Sequence, residues 1–240
     1  MRKLKQAILY ECATKIRPVA IFYAIECAIT AAIFAIVSIL TGGKHMGSNG
    51  LEISSVVFVS VLGILSYRED FKELIQNGYT RKYIYLSNIC MFLVICGTMA
   101  LIDTIVGNGI HHFTGGTYFT LYGVLYGYGD PLANWLWLTA LYLMVCSVFY
   151  LGALVISKVG KLVFLFIGVG ISGLILLVGA LFQFVLSAET VQAIALFCRT
   201  AMGFLGDGSI YVALPVLTFL ILAALLNALS YGVIRRTELK

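Results

Sequence analysis

The sequence predicts an all-α integral membrane protein with six transmembrane helices, and three observations carry that reading. First, 61% of the 240 residues are hydrophobic and only 11% are charged, with a mean hydropathy of +1.00. A soluble domain carries about 25% charged residues. Disorder is excluded as well, because a disordered chain needs low hydrophobicity and high net charge. Second, six stretches approach or exceed the roughly 20 apolar residues that cross about 30 Å of hydrocarbon: 18–41, 51–67, 84–106, 133–157, 162–186 and 210–234. Third, with the amino terminus inside, only Lys44 and Arg199 of the 16 Lys and Arg residues fall outside. That is the asymmetry of the positive-inside rule. It also supports the short second span, whose removal would carry Arg68, Lys72, Arg81 and Lys82 outside.

Such a chain is one transmembrane domain over 1–240. The stretches between spans are too short to bury a core of their own, since domains below about 40 residues usually need disulfides or metals. No GxxxxGK[ST] sequence occurs, so any nucleotide would be bound by another chain. The net charge of +5 reads as topology, and no folded basic face exists for nucleic acid. Both termini are expected in the cytoplasm of a multi-pass plasma-membrane protein. The run Pro18 to Leu40 is too long for a signal-peptide h-region of about 7–15 residues.

Residues 1–17 place Leu4, Ala7, Ile8, Cys12 and Ile16 near one helical stripe, with Arg2, Lys3, Lys5 and Lys15 around it. This predicts an interfacial helix on the cytoplasmic leaflet, with Pro18 marking the turn into the first span. That span carries Ala20, Ala24, Ala28, Ala31, Ala32 and Ala35, a small-residue face suited to close helix packing. Glu26 sits within the same span, roughly 12 Å from its inner end at 1.5 Å per residue. An intramembrane acid is a functional candidate by default, with a hydrogen bond to a neighbouring helix as the alternative. Asp103 and Asn227 are the other intramembrane polar candidates.

The segment 68–83 is the most informative. Arg68, Glu69, Asp70, Lys72, Glu73, Arg81 and Lys82 surround an apolar stripe of Phe71, Leu74 and Ile75. Asn77-Gly78 is a helix stop and Thr80 a candidate cap for the next helix. A compact charged cytoplasmic helix with an apolar stripe predicts a docking surface.

Beyond span 3, the outer segment 107–132 is rich in Gly and free of Lys and Arg. Tyr118, Leu121, Tyr122, Leu125 and Tyr126 follow helical spacing, which predicts a short amphipathic helix in the outer aromatic belt. His111-His112 lacks a third ligand for a metal site. Segment 187–209 opens on Ser187 as N-cap with Glu189 in the first turn. It holds Arg199, a candidate partner for Asp103. The six cysteines follow no metal or disulfide spacing and read as small packing residues. Gly168-Val169-Gly170-Ile171-Ser172-Gly173 matches GxGxxG, but an apolar run without a loop is the wrong context for a dinucleotide turn.

An amino-terminal interfacial helix, six spans, a cytoplasmic helix ending in Asn77-Gly78-Tyr79-Thr80-Arg81-Lys82, and no nucleotide site together resemble the permease subunits of type 2 ABC exporters of the small six-span bacterial kind. The resemblance covers essentially the whole chain as architecture. It implies a coupling helix that seats in a cleft of a separate ATPase, carried here by Arg68, Glu69, Asp70, Phe71, Lys72, Glu73, Leu74, Ile75, Gln76, Asn77 and Gly78. It further implies outer re-entrant half-helices in 187–209 and a second permease copy or a related permease. No catalytic residue and no cofactor is expected in this chain, with ATP and Mg on the partner. Tyr118, Tyr122, Tyr126 and Arg199 would form the outer surface, and the substrate class implied is an amphipathic peptide, drug or lipid. The alternatives are an intramembrane enzyme and a non-transporting accessory or sensor protein.

Overall fold

The computed structural model describes residues 2–41, 51–67, 71–160, 187–206 and 208–235, together with 163, 168, 169, 172 and 173. In chain order the helices are α1 (Arg2–Thr41), α2 (Leu51–Leu65), α3 (Phe71–Gln76), α4 (Arg81–Phe113), α5 (Leu121–Tyr126), α6 (Pro131–Val159), α7 (Ala188–Ala201) and α8 (Ala213–Arg235). Among the described residues there is no strand; Phe204 and Ile210 form an isolated antiparallel bridge. Four helices, α1, α4, α6 and α8, are long and apolar enough to cross a membrane. The apolar α2 has 15 residues, roughly 22 Å at 1.5 Å per residue, and its last turn continues as a π turn through Ser66 and Tyr67. The predicted span 162–186 lies outside the described residues apart from five isolated positions.

Large apolar side chains line the outer surface of the helices as well as the core, and polar side chains are buried between helices. Ile25, Ile29, Ile33 and Ile36 of α1 and Leu217, Ile221, Leu225 and Leu229 of α8 are exposed, whereas Ser87, Asn88, Asp103, Asn134, Ser147 and Ser230 are buried. Apolar stripes outside and polar groups gathered inside are what a lipid solvent selects.

Packing runs around α4 and α6, which are antiparallel. Near one end Asn88 donates to the Tyr150 hydroxyl at 3.2 Å, and near the other Tyr142 donates to Asp103 at 2.5 Å. Between these polar layers lies an apolar one of Met91, Phe92, Ile95, Cys96 and Met99 on α4 with Leu143 and Cys146 on α6. Helix α1 lies parallel to α4, with Ser87 donating to Glu11 at 2.9 Å and Tyr23 to Asp103 at 2.8 Å. Helix α2 runs parallel to α6 and touches it at Gly63. A Cβ there would stand 2.5 Å from the Cys146 carbonyl oxygen and 3.2 Å from the Tyr150 nitrogen, so the close approach requires glycine. Helix α8 is also parallel to α6, through Trp137–Phe219 ring contact and the Asn227–Ser147 hydrogen bond at 2.8 Å.

Three expectations about α1 do not match its structure. The chain does not turn at Pro18: one helix of 40 residues runs from Arg2 to Thr41 with the proline inside it. Pro18 removes one backbone donor, but α4 holds α1 laterally across that point, burying Ala7, Glu11, Lys15, Val19 and Tyr23 at four-residue spacing. The buried stripe is therefore displaced from the predicted one, and Ile16 is exposed. Within the described residues of this chain the alanine face meets no other helix: Ala20, Ala24, Ala28, Ala31, Ala32 and Ala35 are all exposed.

Candidate functional site

At the basic end of the bundle, α3 forms because Phe71-Lys72-Glu73-Leu74-Ile75-Gln76 is a short run of helix-compatible residues closed by Asn77-Gly78. Gly78 adopts φ 76°, and its N–H reaches the Ile75 carbonyl at 2.9 Å while the Tyr79 N–H reaches that of Leu74 at 3.0 Å. This pair of bonds is a Schellman closure, which favours glycine at the left-handed position. Thr80 stands at the N-cap of α4 as expected, but its side chain makes no capping bond. Its carbonyl accepts from Tyr83 and Ile84 instead.

The predicted docking segment divides on inspection. Arg68, Glu69 and Asp70 lie outside the described residues, and Phe71 and Lys72 begin α3. Leu74 is buried in the core and Ile75 packs against it with Tyr79. Leu74 and Ile75 thus fasten α3 to its own bundle and do not face outward. Exposed residues are Glu73, Gln76, Asn77 and Gly78. Glu73 also accepts from the Tyr10 hydroxyl at 2.6 Å, tying α3 to α1. Arg81, whose guanidinium donates to the Arg235 carbonyl at 3.3 Å, joins α4 to α8 at this same end, where Lys82 and Lys158 also lie.

The opposite end holds a second polar site. Asp103 is fully buried, and its two oxygens accept from Tyr23 and Tyr142, so α1, α4 and α6 meet on one carboxylate. Arg199 is exposed on α7 whereas Asp103 is fully buried among helices α1, α4 and α6, so the expected Asp103–Arg199 pair is not formed. Glu26 accepts from Ser54 of α2 at 2.5 Å, which is the interhelical packing alternative. Asn227 likewise bonds between helices: its amide N–H donates to Ser147 and the Ala223 carbonyl, its backbone oxygen accepts from Tyr85 at 2.7 Å, and its side-chain oxygen has no hydrogen-bond partner.

The predicted outer tyrosine surface is turned inward. Helix α5 covers only Leu121–Tyr126, capped by Thr120, whose hydroxyl accepts from the Gly123 N–H at 3.0 Å. Tyr118 and Tyr122 are buried, and Val124 and Leu125 are the exposed pair. Tyr122 packs edge-on to Trp137, and Tyr126 stacks on Phe204 and donates to the Met202 carbonyl at 2.8 Å. Three aromatic rings fill space at the α5–α6 junction more effectively than they would in an outer belt. Burial pushes the Tyr118 phenol up to about 12, and the charge of Glu52 adds to the shift.

Glu52 is the residue that sequence reading overlooked. It is 6% exposed, one of its oxygens (Oε2) accepts from the Leu121 N–H, and the other (Oε1) has no hydrogen-bond partner. With Ile53, Tyr118, Phe119 and Leu121 it lines a pocket between the start of α2 and the start of α5. The signal was present, because an acid stands inside the predicted span 51–67. Ser187 caps α7 as expected, accepting from the Thr190 N–H. All six cysteines are free, with Cys96 and Cys146 buried in the core and Cys27 and Cys198 exposed. Among the described residues no group of three His, Cys, Asp or Glu side chains is placed to hold a metal ion.

The fold and the two sites define a helical membrane protein with a fastened helix at its basic end and a buried acidic region at the other. No family model, curated protein or solved structure matches this chain.

Proposed function

We propose that this chain is the transmembrane subunit of an ATP-driven exporter, similar to the type 2 ABC permeases, and that a separate ATPase docks on the exposed edge of α3. The observation that carries the reading is the way α3 is held. Leu74 and the Schellman closure lock it to the bundle, while Glu73, Gln76 and Asn77 face outward at the end rich in Lys and Arg. A rigidly seated helix can transmit a push from a partner to α4 through Tyr79 and Thr80, and to α1 through Glu73 and Tyr10. A driver must act differently on two states of the pathway, and this connection gives it two helices to act on.

Six crossings suit the reading. Helix α8 is parallel to α6, so the chain must return from the inner end of α6 to the outer end before α8 begins. We assign that return to 162–186, with both termini cytoplasmic in the plasma membrane. A second permease copy or a related permease completes the pathway, ATP and Mg belong to the ATPase, and the cargo is an amphipathic peptide, drug or lipid moved outward.

The test is affinity purification of the tagged chain from its native membranes, followed by identification of bound ATPase. The reading expects an ABC ATPase to be recovered, and expects Gln76→Trp to lose it while inserting at the normal level. Failure to recover an ATPase with the unaltered chain, or full recovery with Gln76→Trp, opposes it.

A further inference from the structure

We propose that the pocket at Glu52 binds the ammonium head of a cationic amphiphile, and that this head is the feature of the cargo the protein recognises first. The proposal extends the transport reading to a substrate class.

Buried carboxylate oxygens are almost always hydrogen-bonded, and each exception calls for a physical reason. Glu52 Oε2 is satisfied by the Leu121 N–H, but Oε1 is shielded and makes no hydrogen bond. Asp103, the other buried acid at this end, supplies no donor, and its own oxygens accept from Tyr23 and Tyr142. What the site lacks is a positive donor.

The walls narrow the kind of donor. Tyr118 and Phe119 line the pocket beside the carboxylate, and aromatic faces attract cations most strongly when water is excluded. One free carboxylate oxygen is too few for a metal shell, whereas an ammonium needs one strong acceptor and tolerates aromatic neighbours. The remaining wall is apolar: Ile53 and Phe119 are each about half exposed, a surface along which an alkyl tail can leave the pocket toward lipid. A charged head with an apolar tail fits all three features.

The probe is hexylammonium, measured by titration calorimetry on the full chain in nanodiscs of zwitterionic lipid, with empty nanodiscs as blank and hexanol as the neutral counterpart. The proposal expects saturable binding of hexylammonium and none of hexanol. Glu52→Gln keeps an acceptor for the Leu121 N–H and should weaken binding by about tenfold or more, the usual scale for removing one member of a buried charge pair. Absence of saturable hexylammonium binding to the unaltered chain, equal binding of hexanol, or unchanged binding in a folded Glu52→Gln variant each overturns it. Because no ATPase takes part, this result is independent of whether one is recovered with the chain.

Discussion

Tyr142 of α6 donates its hydroxyl to Asp103 of α4 at 2.5 Å, both side chains fully buried, while Tyr23 of α1 holds the other carboxylate oxygen. One acid thereby ties three helices at the same level of the bundle.

Removing the Tyr142 hydroxyl should therefore cost stability. Tyr142→Phe leaves a buried carboxylate oxygen short of a donor, a penalty of about 1–3 kcal/mol. Thermal unfolding of the purified chain in detergent should show a lower midpoint than the unaltered protein. Thr98→Val, at an exposed hydroxyl that only bonds back to the Val94 carbonyl, should leave the midpoint nearly unchanged.

Gly63 gives a steric prediction. Its missing Cβ would stand 2.5 Å from the backbone of α6, so Gly63→Ala must separate α2 from α6 and should destabilise by about 1–3 kcal/mol, the usual cost of overpacking. Gly152 has nothing within 4 Å of the same position, and Gly152→Ala is expected to unfold no earlier than the parent chain.

The sequence made the solvent and the helical class legible because those depend on composition and run length alone. It also placed the Asn77-Gly78 stop and the Ser187 cap, which are local. What it could not supply was the direction in which side chains point. Leu74 and Ile75 read as a docking stripe, and Tyr118 and Tyr122 as an outer belt, because an apolar face has the same spacing whether it meets a partner, lipid or its own bundle. The displaced stripe on α1 has the same origin: with lipid as solvent, Glu11 and Lys15 turn inward and Ile16 outward. Asp103 drew attention, but its tyrosine partners lie 80 and 39 residues away, beyond any local pattern.

Leu74→Asp and Gly78→Ala should act on folding. A charged group at the buried Leu74 position breaks the contact that seats α3, and membrane-inserted yield should fall. Gly78→Ala forces a Cβ into φ 76°, costing about 1–2 kcal/mol, and should raise protease cleavage between α3 and α4 without preventing insertion.

Crossing number is testable with reporter fusions. A fluorescent protein joined after Gly160 should glow in the cytoplasm, and alkaline phosphatase joined after Ser187 should be active outside. Activity on the same side at both points would remove the return crossing assigned to 162–186.

The docking role of α3 is tested most directly by a photo-crosslinking amino acid placed at Gln76 in living cells, with Val124 at the outer end as the comparison. The account predicts a specific adduct at Gln76 whose partner is an ABC ATPase, and no such adduct at Val124. An empty lane at Gln76, or the same adduct at both positions, would contradict it.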